Sequence, residues 1–162
     1  MARKRTDVER SARDRGEEPQ EVLDRNVGEL LQETRVATAG VQFLFAFLLT
    51  LPFTQRFGEL TDFQRDLYPL TLLSTTCAAI VLIAPVSFHR VLFRQHEKEA
   101  VVAFADRALL VGLVLLLVGI ASAVLLVLDV VLGRGWAVAA CTLVAVLGLG
   151  LWFVLPAARR AR

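Results

Sequence analysis

Ten ionisable residues gather in two stretches of this chain: Glu29, Glu33 and Arg35 in one, and His89, Arg90, Arg94, His96, Glu99, Asp106 and Arg107 in the other. Glu29 and Glu33 are i, i+4 neighbours, which on a helix sets two carboxylates side by side, and His96 and Glu99 are i, i+3. Carboxylates and imidazoles at such spacing can hold a metal ion or sense protons. The spacing is unspecific, however, and solvated faces with interfacial salt bridges account for the same residues. One further acid, Asp129, stands apart from both stretches, and an interfacial pair with Arg134 or another arginine of that side (Arg56 or Arg65) is a simpler reading of it than a proton carrier. Cys77 and Cys141 are far apart and read as small buried hydrophobes, since thiol reactivity needs a polar setting. No catalytic motif, no metal-ligand set and no cofactor-binding pattern is present, so the chain is not expected to be an enzyme or to carry a cofactor.

The elements that carry these residues are defined by where charge is missing. Four stretches lack Asp, Glu, Lys and Arg altogether: Val36 to Gln55, Leu67 to His89, Ala108 to Leu128 and Gly135 to Ala158. A helix needs ~20 apolar residues to cross a bilayer core, and a soluble helix of that length would show a polar face. The expectation is an all-α chain, a four-span transmembrane helix bundle with spans of about 36–55, 67–89, 108–132 and 135–156. With 162 residues and 56% hydrophobic content, no second globular domain fits. Residues 1–22 read as a disordered cytoplasmic tail, because their mixed charge and scarcity of large apolar side chains cannot offset ordering entropy. From Leu23 an amphipathic pattern begins, with Asn26 and Glu29 resembling a capping box, and an interfacial amphipathic helix is expected to run into the first span. The membrane domain covers 23–158, and 159–162 form a C-terminal tail. The basic start has no apolar stretch after it before Val36, so a cleaved signal peptide is not expected.

Charge also sets the orientation. Alternating spans place the N-terminal segment, the connection from Arg90 to Arg107 and the C-terminal tail on one side, with nine Lys or Arg near the membrane even when only Arg25 and Arg35 of the tail are counted. The opposite side has Arg56, Arg65 and Arg134, so both termini are expected to be cytoplasmic in a cell (inner) membrane. The first 35 residues hold eight basic and nine acidic residues, a near-cancellation that gives no argument for nucleic acid. Thr61 and Gln64 form a capping signature at the start of span two, Phe53, Phe57, Phe63 and Tyr68 suit an aromatic belt, and Gly133-Arg134-Gly135 forces the last two spans into a tight hairpin. The connection between spans two and three has no Gly or Pro from 86 to 111, so both helices are expected to project and turn near Gln95 and His96.

Within the spans, polarity is mild. Thr38, Gln42, Ala46 and Thr50 recur every four residues, as do Thr71, Ser74, Thr75 and Ala78 more closely; spans three and four add Gly119 and Ala123, and Ala137, Cys141, Ala145 and Gly148. Small and hydroxyl residues at such spacing let helices approach and hydrogen-bond. Gln42, Thr38, Ser74 and Thr75 are the candidate polar contacts in the bundle, and Gln42, the single amide within a span, is expected to find a partner there. A proton or cation transporter usually carries an ionisable group near the midplane. Here Asp129 falls toward the outer end of span three and Asp106 toward its inner end.

Three stretches together carry a resemblance: Glu29 to Val36 continuing through Gly40 to Phe53, then Phe63 to Tyr68, then Ala84 to Arg94. They resemble a family of small bacterial integral membrane proteins of unknown function, over about residues 26–155. Members of that family are sometimes labelled sodium:proton antiporters, so the resemblance implies a membrane protein and, as an alternative activity, cation:proton exchange. The leading expectation is a non-enzymatic protein acting through assembly, with the lipid bilayer and either a homo-oligomer or a membrane-protein partner as its contacts. A small transporter working as an oligomer is the alternative. An enzyme using His89 and His96 at the cytoplasmic surface is a third reading.

Overall fold

The structure, a computed structural model, describes Arg13, Gly16 and residues 18–92 and 98–160. These residues are helical almost throughout, with no strand among them. Helix α1 spans Pro19–Thr50, α2 Asp62–Leu92, α3 Lys98–Leu132 and α4 Arg134–Leu149. Two 3-10 turns, Leu51–Phe53 and Gln55–Glu59, join α1 to α2. A π-helical turn, Gly150–Val154, leads from α4 into a short α5, Leu155–Arg160. Four segments are long and apolar enough to cross a membrane: Gly28–Phe53, Asp62–Phe88, Val101–Leu132 and Arg134–Arg159. At ~1.5 Å per residue, the 32 residues of α1 and the 35 of α3 exceed the length a hydrocarbon core requires.

Several boundaries differ from those expected. α1 begins at Pro19, not near Leu23, and runs unbroken into the first apolar segment. Asn26 and Glu29 therefore lie inside the helix and not at its start. The true start has its own signals: proline at the first helical position, and Glu21 reaching back so that the Glu18 amide donates to its carboxylate at 3.2 Å. The connection between α3 and α4 shrinks from three residues to Gly133 alone, with φ 85° and ψ 170°, a conformation suited to glycine. Most of the expected tail, residues 1–12 among it, and the expected turn at Gln95 and His96 lie outside the described residues.

The chain divides into two compact units. One comprises residues 1–39 and 80–111. Here Val22, Thr34, Leu82, Val101, Ala105 and Ala108 are buried, and the Phe88 and Phe104 rings stack at 4.5 Å between centroids. The other comprises residues 40–79 and 112–162, with Val41, Leu48, Thr71, Thr75, Ala78, Leu116, Leu126 and Ala137 buried.

In this second unit, glycines mark close approach. A Cβ on Gly119 would fall 2.7 Å from Thr75 Oγ1, and one on Gly148 would meet the Leu117 side chain. Hydroxyls, by contrast, do not bridge helices as expected. Thr71, Thr75, Ser122 and Thr142 donate to carbonyls four residues back, at Leu67, Thr71, Val118 and Val138. Thr34 and Thr38 do likewise in α1. An intrahelical carbonyl is always within reach, so each hydroxyl is satisfied without a neighbouring helix. Tyr68 is different. Its hydroxyl donates to Leu48 O at 3.0 Å, the carbonyl that the amide of residue 52 would serve were that residue not proline.

Two outcomes follow for purified protein in detergent. Gly119→Ala should lower thermal stability through overpacking, by about 1–3 kcal/mol, because the β-branched Thr75 is fully buried and cannot swing aside; adding Thr75→Ala should recover most of the loss. Tyr68→Phe should cost about 1 kcal/mol, the worth of one hydrogen bond. An unchanged melting temperature in Gly119→Ala would contradict the close approach.

Candidate functional site

The most polar constellation inside the second unit forms where α2 begins, α3 ends and α4 begins. α2 starts with a reciprocal cap: the Thr61 amide donates to Gln64 Oε1 at 3.0 Å, and the Gln64 amide approaches Thr61 Oγ1 at 3.4 Å. This leaves the Gln64 side-chain NH2 free to act elsewhere. It donates to Asp129 Oδ2 at 2.9 Å, in the last turn of α3.

Asp129 is also held from the other side of Gly133. Arg134 Nε donates to Asp129 Oδ1 at 2.7 Å and Arg134 Nη2 to Oδ2 at 3.2 Å, a two-point guanidinium–carboxylate pair. The Asp129 side chain is 3% exposed and that of Arg134 50% exposed. The guanidinium lies 3.6 Å from the centroid of the Phe63 ring, so an aromatic face covers part of its charge. In the same unit the Phe57 and Tyr68 rings meet edge to face at 5.1 Å. The arrangement has the character of a latch. Every carboxylate oxygen of Asp129 already has a donor, and the arginine head remains in reach of water.

The residues singled out by sequence fall elsewhere or remain dispersed. Thr38 is half-buried and Thr75 buried, each bonded within its own helix, and Ser74 is buried. Gln42 is exposed on α1 and has no side-chain hydrogen bond among the described residues, contrary to the expectation of a partner in the bundle. The reason is rotational: the buried residues of that part of α1 are Val41 and Leu48, and position 42 is turned about 100° from 41.

In the first unit, Glu29, Glu33, Arg35, Arg90 and Arg107 are exposed and Asp106 is half-buried. Glu29 lies 4.0 Å from Arg25 on its own helix. Arg25, Gly28, Glu29, Gln32 and Glu33 line an open depression of about 570 Å³, formed by one helix face alone. Among the described residues, no three His, Cys, Asp or Glu side chains come together as metal ligands would. The side chains of His89 and Glu99, and the whole of Arg94 and His96, lie outside what is described.

Sequence reasoning found Asp129 near Arg134 and found the cap, but not that Gln64 joins them. A signal was present: a capping glutamine uses only its carbonyl oxygen, so its NH2 needs a partner, and Asp129 was expected at the same end of the bundle. The burial asymmetry gives the latch a sharp test. Arg134→Ala strands a buried carboxylate and should cost about 3–5 kcal/mol. Asp129→Asn leaves a half-exposed arginine that water can solvate, and should cost less than half of that. Thermal melts of the two variants check the order; equal losses would mean that the pair is surface decoration.

Comparison with the curated proteins and with solved structures gives no match to this chain. A family model does match, over residues 16–156, a range that contains the whole of α1, α2, α3 and α4. Its description is a family of unknown function, DUF6328. The chain belongs to that family.

Proposed function

We propose that this protein is a four-span integral membrane protein, without chemistry of its own, that acts by assembling with a membrane-embedded partner. The observation that carries this reading is the distribution of exposed apolar side chains. Phe43, Phe47 and Leu49 on α1, Leu70, Leu73 and Ile80 on α2, Val111, Val118 and Val131 on α3, and Leu143, Val146 and Leu147 on α4 are all exposed. In water such a surface would drive aggregation, whereas in a bilayer it is the ordinary outer surface. Trp136 and Trp152 lie near the two ends of the fourth span, 16 residues or about 24 Å apart, a separation that suits interfacial anchors. The excess of Arg and Lys beside the termini supports cytoplasmic termini in the cell (inner) membrane, with the Gly133 hairpin outside.

Cation:proton exchange has less support. A coupled exchanger binds and releases a proton at a group reachable from each side in turn. Both oxygens of Asp129 are engaged by Arg134 and Gln64 at the end of a span, and Asp106 lies near the start of α3.

Proteoliposomes carrying the purified protein should show no sodium- or potassium-dependent proton flux under an imposed pH gradient. Flux abolished by Asp129→Asn or Asp106→Asn would replace this reading with the exchanger and name its carrier. Membrane fractions should retain the protein through alkaline carbonate extraction, and a cysteine placed at Gly135 should react with impermeant reagent from outside. Release by carbonate would overturn the membrane reading, and labelling only from the cytoplasm would invert the orientation.

A further inference from the structure

Gln42 stands 14 residues after Gly28 and 11 before Phe53 in the first apolar segment, about 21 and 16 Å from its ends. Three rotatable bonds cannot carry its carboxamide to either surface. It is exposed, it has no side-chain hydrogen bond among the described residues, and its neighbours on the same helix face are Ala39, Ala46 and Leu49, all exposed. Positions 39, 42, 46 and 49 follow three-four-three spacing, which keeps one seam of a helix facing a parallel partner. Two of those positions are alanine, which allows close backbone approach, and the buried residues Val41 and Leu48 lie off the seam. Unlike the threonine hydroxyls, its carboxamide makes no return bond to its own helix among the described residues, and in hydrocarbon an amide without a partner is costly.

We infer that this seam of α1 is a homodimer interface, in which Gln42 pairs with Gln42 of a second, parallel copy. The carboxamide is self-complementary: it has an NH2 to donate and an oxygen to accept. Two copies inserted in the same orientation bring the same residue face to face across a two-fold axis, so both amides are satisfied at once. Hydrocarbon supplies neither a donor nor an acceptor, and a partner of other sequence would have to bring its own amide to the same depth. The inference rests on the membrane-embedded assembly reading and names its partner.

The test uses the full chain with Cys77→Ala and Cys141→Ala, reconstituted in liposomes. Ala46→Cys in this background should give a covalent dimer on mild oxidation, while Leu143→Cys, on the exposed side of α4, should not. Gln42→Leu should weaken dimerisation about 3- to 30-fold, the range of interhelical polar contacts in membranes, as read by single-molecule photobleaching at graded protein-to-lipid ratios. The melting temperature of the monomer in detergent should stay unchanged. A carbonate-resistant protein that remains monomeric, cross-links equally through Leu143→Cys, or dimerises equally well as Gln42→Leu would overturn the interface alone. So would, with the same variant in native membranes, a cross-link from Ala46→Cys to a protein of different mass and none to a second copy. Extraction by carbonate would instead remove the membrane reading beneath it.

Discussion

A carboxylate at the end of a helix is stable only in the company of donors, and Asp129 is placed where it needs them most. It occupies the last turn of α3, where the helix dipole presents its negative end, and Arg134 opens α4, where the dipole presents its positive end. Each charge stands at the wrong pole of its own helix. Their pairing offsets both faults, and it does so only because the chain reverses within the four residues between them. In a continuous helix, positions 129 and 134 would lie about 140° apart around the axis and would not meet. Gly133, at φ 85°, makes that reversal in a single residue. Gln64 then extends the pair to the start of α2, so one buried carboxylate fixes the ends of three helices.

In the second unit the described polar links between helices gather at that end, so packing along its helices has to come from shape. The hydroxyls turn back on their own helices, which satisfies them but contributes nothing to specificity between helices. What remains is the fit of small residues against larger ones: Gly119 beneath Thr75, and Gly148 beneath Leu117. This is how helices pack where lipid removes any hydrophobic advantage of protein over solvent.

How much of this could be read from the residues alone follows from the range of each force. The four long helices were legible because the loss of charge over twenty or more residues is a bulk property of each segment. Their ends were less so. The pattern at Asn26 and Glu29 imitates a cap, but whether a cap is used depends on whether the helix has already started upstream, as it has at Pro19. The Thr61–Gln64 cap was legible because both partners are local, and Asp129 with Arg134 because they are near in sequence. The bond from Gln64 to Asp129 crosses 65 residues, and no periodicity encodes it. Gln42 was placed inward by its polarity, although the helix face it occupies is set by Val41 and Leu48, the neighbours that bury better.

The backbone at two prolines is compatible with an apolar surrounding. A helix interrupted inside hydrocarbon leaves carbonyls without donors, and two of the apolar segments here depart from α geometry near a proline. At Pro52 the carbonyl of Leu48 loses its usual amide, and the Tyr68 hydroxyl of another helix takes its place. Near Pro156 the remedy is different: the helix widens into a π turn over Gly150–Val154, with the Leu155 amide reaching back to Gly150 O. That widening relieves the contact between a proline ring and the carbonyl four residues before it, which a regular helix would force. Water would have repaired either break without help from the fold. At Pro52, then, the donor comes from the fold itself, an arrangement that suits an apolar surrounding.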